Sequence, residues 1–330
     1  MNNLENKKVL VTGGAGFIGS HLCDRLLSLG AKVICLDNLF TGSDENIRHL
    51  LDKDGFEFVN HDVEDPYDYE VDYIFNLACP ASPIWYQKDP VKTVRTNVMG
   101  AINALDLAKK LNCRVLHTST SEVYGDPHVH PQTEDYWGNV NPIGERSCYD
   151  EGKRCAETLF FDYHREYDVD IRVVRIFNTY GPRMAINDGR VVSNFIVQAL
   201  NNQDITIYGD GEQIMDLIYV KDMVEILSRI ILKDNIPNDI IYEAGVGGKM
   251  TINKAVDLVL EMTNSSSKVN KIDMRPGEEA GAIVEISEKG WDNLKKYIDY
   301  FPENITPMKE AIQKSIVWYK EHLSDFEWDE

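Results

Sequence analysis

The chain has 330 residues with a formal net charge of −20, 43% hydrophobic and 27% charged, ordinary proportions for a globular protein of one large or two modest domains. That acidity argues against a nucleic-acid or anionic-membrane partner. No apolar run approaches the roughly 20 residues that cross a bilayer, and the polar start through Lys8 carries no signal peptide, so a cytoplasmic protein is expected.

In chain order, residues 9–12 read as a short apolar strand and 17–29 as a helix, with Ile18, Leu22 and Leu26 on one stripe. Strands follow at 32–36, 56–60 and 73–78, then a long helix at 91–111 and a strand at 114–119. A helix at 149–167 leads into a strand at 171–177. Strands separated by helices predict an α/β fold with a doubly wound parallel (Rossmann) sheet over residues 1–178. Continuous runs such as Val9-Leu10-Val11 fit strands buried on both faces. After residue 178 the loops lengthen and short strands (205–208, 240–244) alternate with helices (220–233, 251–263). Residues 179–330 therefore read as a smaller C-terminal α/β substrate-binding domain, with some strands returning to the main sheet. The last helix is expected to start with Thr306 as N-cap and Pro307 at its first position. Cys23, Cys35, Cys79, Cys113, Cys148 and Cys155 are scattered without a Cys-x-x-Cys pair, which predicts reduced thiols.

Gly13, Gly16 and Gly19 follow the first strand and open the first helix. In that context the glycines let the backbone approach a pyrophosphate at a helix N-terminus. Asp37, at the end of the second strand, can accept both ribose hydroxyls and would repel a 2′-phosphate, so NAD is expected over NADP. Asp62-Val63 after the third strand are candidates to cover the adenine, and Leu77-Ala78 after the fourth to face the cofactor ribose.

Tyr149 and Lys153 sit one helical turn apart on one face. A lysine cation there favours the phenolate and would lower a tyrosine pKa that is ordinarily about 10. Ligands in an open α/β sheet lie at the carboxyl ends of strands, which brings in Thr120, with Ser121 and with Glu122 as an acid/base candidate. The constellation predicts redox chemistry at an alcohol. It needs no metal, and His128-x-His130 lacks supporting ligands. Trp85-Tyr86 reads as a loop packed on the core.

The segments Gly-Gly-Ala-Gly-Phe-Ile-Gly (13–19), Ser-Glu-Val-Tyr-Gly-Asp (121–126) and Tyr-Asp-Glu-Gly-Lys-Arg (149–154) resemble the extended short-chain dehydrogenase/reductases of the nucleotide-sugar epimerase/dehydratase family. Between Cys79 and Gln213 the chain is similar to the UDP-glucuronate decarboxylase branch. Pro80-Ala81-Ser82-Pro83 and Arg175-Ile176-Phe177-Asn178-Thr179-Tyr180-Gly181-Pro182-Arg183-Met184 carry that likeness. The resemblance implies that Thr120, Tyr149 and Lys153 transfer the proton. It also implies NAD contacts from Phe17, Ile18, Asp37, Asn38, Asp62, Val63, Leu77 and Thr179. Asn178, Arg190, Tyr208 and Gln213 are implied to line a nucleotide-sugar pocket, and the long helices to pair in a homodimeric four-helix bundle.

Related 4,6-dehydratases carry Asp where this chain has Ser121, so dehydration is disfavoured. Two further departures stand out. Met215 occupies the place of an arginine that contacts the diphosphate in the decarboxylases. The segment from Arg275 to Ala280-Gly281 lacks a second arginine near the sugar, leaving Arg275 to compensate. Three readings stay open: decarboxylation of a nucleotide uronate, a C4 dehydrogenase or epimerase acting on another nucleotide sugar, and a non-catalytic NAD-binding scaffold.

Overall fold

The computed structural model describes residues 4–247, 250–274 and 283–323. The chain opens with β1 (Lys8–Thr12), α1 (Phe17–Ser28), β2 (Lys32–Asp37), β3 (Phe56–Asn60) and β4 (Tyr73–Asn76). Next come α2 (Pro83–Lys88), α3 (Pro90–Leu111), β5 (Arg114–Thr120), α4 (Ser147–Tyr167) and β6 (Ile171–Ile176). β7 (Asn178–Tyr180), α5 (Val191–Leu200), β8 (Ile205–Tyr208), β9 (Ile214–Met215) and β10 (Leu217–Tyr219) follow. Then come α6 (Val220–Leu232), β11 (Ile241–Ala244), β12 (Met250–Thr251) and α7 (Ile252–Thr263). The described chain ends with β13 (Val269–Ile272), β14 (Ile283–Val284), α8 (Glu288–Ile298) and α9 (Met308–His322).

The main sheet has seven parallel strands in the order β11-β6-β5-β4-β1-β2-β3. The order reverses beside β1, the position where dinucleotides bind in such sheets. Successive strand side chains alternate between two cores. Val9, Val11, Phe75, Leu116 and Val174 join a cluster with Leu22 and Leu26 of α1 and Ile226 and Ile230 of α6. Leu10, Ile74, Val115 and Val173 face the other way, onto Ala104, Leu105 and Ala108 of α3 and Phe160 of α4. Burial on both faces is what makes these strands continuously apolar. A separate core joins Phe195 and Ile196 of α5, Val256 and Val259 of α7, and Ile312, Ile316 and Tyr319 of α9. β11, although late in the chain, pairs with β6 at the edge of the main sheet.

Two local expectations are corrected. Trp85-Tyr86, read as a loop, lie in α2, started by Pro83 behind Ser82. The last helix begins at Met308 with Pro307 as its cap, not with Thr306. Thr306 is drawn away because its hydroxyl and backbone N–H both donate to the Asp222 carboxylate, at 2.9 and 3.0 Å.

Candidate active site

A cavity of about 1240 Å³ runs between the carboxyl ends of the main-sheet strands and the core of α5, α7 and α9. At one end lies the turn between β1 and α1. Gly13 has φ +70°, and a Cβ there would sit 2.9 Å from the Ala78 backbone. A Cβ on Gly19 would come within 2.0 Å of the Gly13 carbonyl. Only glycine lets this turn close on the segment after β4 and lets α1 begin so near it. The first-turn N–H groups of an α-helix have no partners within the helix, and Gly16, Phe17, Ile18 and Gly19 all line the cavity.

Asp37 ends β2 beside that turn. Its carboxylate accepts the Ala15 N–H at 3.0 Å and the Leu39 N–H at 2.8 Å. Burial pushes its carboxyl up, and the surrounding backbone N–H groups oppose the rise. Asn38, Val63, Leu77, Ala78 and Thr179 also line this end. Asp62 lies one step behind: it accepts the Asn38 amide at 3.0 Å and pairs with Lys92. The glycine cradle, the helix N-terminus on the cavity wall and the acidic strand end fit a dinucleotide with an unphosphorylated ribose.

At the centre, β5 delivers Thr120 and α4 delivers Tyr149 and Lys153 to the same wall. Thr120 Oγ1 accepts the Glu122 N–H at 3.1 Å and so caps the short turn that carries Ser121 and Glu122. Tyr149 is buried and stacks on Tyr86 of α2, centroids 5.2 Å apart and rings 10° from parallel. Lys153 Nζ donates to the Thr118 carbonyl at 2.8 Å and lies 6.0 Å from the Tyr149 ring centroid. The protein alone does not give the simple lysine–phenolate picture. Burial raises the Tyr149 phenol above its ordinary value, against a hydrogen bond with Thr120. Burial likewise lowers Lys153, with Cys79 and Glu157 acting in the opposite direction. A desolvated pair responds strongly to any charge brought into the cavity.

Glu122 forms an ion pair with Arg146, the residue preceding α4. Ser121 is buried on the cavity wall. Farther along, Asn178, Arg190, Tyr208, Gln213 and Met215 all line the cavity. Arg190 is held by both oxygens of Asp188, with Nη2 to Oδ2 at 2.9 Å. Gln213 Nε2 donates to the Tyr208 carbonyl at 3.1 Å. Arg275 and Ala280-Gly281 lie outside the described residues.

Sequence reasoning missed Tyr86, Arg146, Asp150 and Cys79, all of which line the central cavity. A signal existed for Tyr86, since Ser82-Pro83 is a helix start. Nothing local marks the others, because their neighbours come from other elements.

A sequence model of the NAD dependent epimerase/dehydratase family matches residues 9–245. The chain is 53% identical over 272 residues to UDP-glucuronic acid decarboxylase 4 of Arabidopsis thaliana, covering 82% of this chain and 60% of that protein. With UDP-glucuronic acid decarboxylase 6 of the same plant it shares 50% identity over 303 residues, 90% of this chain and 87% of the relative. Among solved structures, the UDP-glucose 4-epimerase of Thermotoga maritima with UDP-glucose superposes with a TM-score of 0.83 at 27% identity, covering 96% of this chain and 99% of that one.

Proposed function

The chain belongs to the NAD dependent epimerase/dehydratase family, and from that premise we propose that it decarboxylates a nucleotide uronate, UDP-glucuronate, to the corresponding pentoside. The observation that carries this reading is the 50% identity to a UDP-glucuronic acid decarboxylase over nearly the whole of both chains. The glycine turn and Asp37 would hold NAD. When bound, NAD would supply a hydride acceptor for the sugar C4 and, once reduced, the hydride that returns there.

The remaining steps fall to the chain's own groups. Tyr149, as phenolate, takes the C4 hydroxyl proton, and Lys153 offsets the charge beside it. Oxidation at C4 makes the uronate a β-keto acid, whose C5–carboxylate bond can break with loss of CO₂. Hydrogen bonds from Thr120 and Tyr149 stabilise the enolate that remains. Glu122 orients the sugar through the Arg146 pair. Protonation at C5 and return of the Tyr149 proton at C4 complete the turnover. Ser121 has no acidic proton to expel a C6 hydroxyl, so dehydration is not part of the proposal.

The test is to incubate the protein with UDP-glucuronate and NAD and follow CO₂ and the nucleotide pentoside. No CO₂ or pentoside over long incubation would remove this reading and promote the second, a C4 dehydrogenase or epimerase on a nucleotide sugar without a carboxylate, which Met215 motivates. Met215 is half-buried on the cavity wall, between β12 and β14. A charge-assisted hydrogen bond is worth about 1.5–3 kcal/mol, so Met215→Arg is expected to lower KM for the nucleotide sugar by roughly tenfold or more. An unchanged KM in steady-state kinetics would remove Met215 from the diphosphate site.

We further infer a homodimer built on α3 and α4. Val91, Val94 and Met99 of α3 are exposed apolar residues, Val91 at 68%, as a bundle seam requires. Sedimentation at the mass of one chain at micromolar concentration would reject it. The free cysteines, Cys155 exposed among them, suit the reducing cytoplasm.

A further inference from the structure

Decarboxylation as proposed above uses two protons of different origin. The C4 proton goes to Tyr149 and comes back from it. The C5 proton does not: as the C5–carboxylate bond breaks, its electron pair stays on the sugar as the enolate, and a new C5–H bond forms. One proton is thus consumed for each CO₂ released, and it must come from an acid that solvent reloads. Tyr149 cannot serve, because its proton is owed to C4. Glu122 is taken up by its ion pair with Arg146, a contact that fixes both side chains in place.

Asp150 follows Tyr149 in the first turn of α4 and lines the same cavity. It is 7% exposed, and its Oδ1 is fully buried without a hydrogen-bond partner. A carboxyl with one oxygen buried and unpartnered favours its neutral form. The titratable groups that influence it are Glu122 from the turn after β5, Arg146, Glu151 and Arg154 at and within α4, with Tyr86 of α2 and Cys148 also coupled to it. Burial is the largest influence and Glu122 adds to it, while Arg146 opposes; the carboxyl is pushed up to about 7. No task in the mechanism above uses this group.

We propose that Asp150 is the acid that protonates C5, an inference that rests on the decarboxylase reading of this site. Glu122 then fixes Arg146 and the sugar, and Asp150 recovers its proton from water once product leaves.

The experiment compares wild type with Asp150→Asn, which keeps the shape but carries no transferable proton. The variant is expected to lose about 10²-fold or more in kcat, with KM and NAD affinity unchanged. Reduced-nicotinamide absorbance should build up in the steady state, because C4 oxidation proceeds while C5 waits. The donor must be protonated, so wild-type kcat should fall as pH rises through about 7. That limb should vanish in Asp150→Asn and return in Asp150→Glu. Wild-type kcat with the same limb in Asp150→Asn overturns the proposal, as does a rise in KM alone. Carbon NMR of aspartate-labelled wild type gives an independent check: if every aspartate carboxyl is ionised well below neutrality, Asp150 is not the store. Absence of CO₂ from the wild type would overturn the decarboxylase reading instead, which these arms distinguish.

Discussion

Tyr149→Phe is expected to reduce turnover on UDP-glucuronate by about 10²–10⁴-fold, the usual weight of a positioned acid or base. NAD affinity and the melting temperature should stay at the wild-type level. The ring would keep its stack on Tyr86, 5.2 Å away, so the lost element is the hydroxyl alone. Without it the C4 hydroxyl has no acceptor for its proton, and neither oxidation nor reduction at C4 can proceed. Because burial holds the Tyr149 phenol above its ordinary value, the resting protein stores the neutral form. Turnover unchanged by the substitution would sink every catalytic reading and leave the scaffold.

Much of this site was legible because its parts are marked by local rules. The glycines at 13, 16 and 19 announce a turn at which only a Cβ-free backbone fits, and the structure has Gly13 at φ +70° against Ala78. Asp37 was readable from its place at a strand end, and Tyr149 with Lys153 from helical spacing. The strands were readable because burial on two faces makes them uniformly apolar. What stayed hidden depends on contacts between distant segments. Tyr86 meets Tyr149 only because α2 packs against α4, and the Lys153 ammonium is bound by the Thr118 carbonyl, which no side-chain pattern encodes. Asp150 reads as an ordinary first-turn acid, favourable to the helix dipole. Its burial becomes evident only when α2, α4 and the turn after β5 are assembled.

The same limit conceals the network that holds α4 in place. Glu157 lies one turn beyond Lys153 on α4 and is buried. Its Oε1 accepts Ser119 Oγ at 2.6 Å and Arg175 Nε at 2.9 Å, and its Oε2 accepts Arg175 Nη2 at 2.7 Å. Arg175 Nη1 reaches the Tyr124 hydroxyl at 3.0 Å, and that hydroxyl donates to Glu243 of β11 at 2.6 Å. One buried carboxylate therefore ties the helix of Tyr149 and Lys153 to β5, which carries Thr120, and to β6. Glu157→Gln keeps the shape but strands the Arg175 cation, a loss of about 3–5 kcal/mol for a broken buried pair. The denaturation midpoint in urea should fall accordingly. Replacing both partners, as Glu157→Leu with Arg175→Met, should recover most of that loss, because no charge is left buried alone. The kinetics should separate the two roles of the network. If it sets the spacing of Thr120, Tyr149 and Lys153, the double variant will regain stability yet keep a reduced kcat at unchanged KM. Full recovery of kcat with stability would mean that apolar packing alone positions α4, and that the buried charges serve the fold rather than the chemistry.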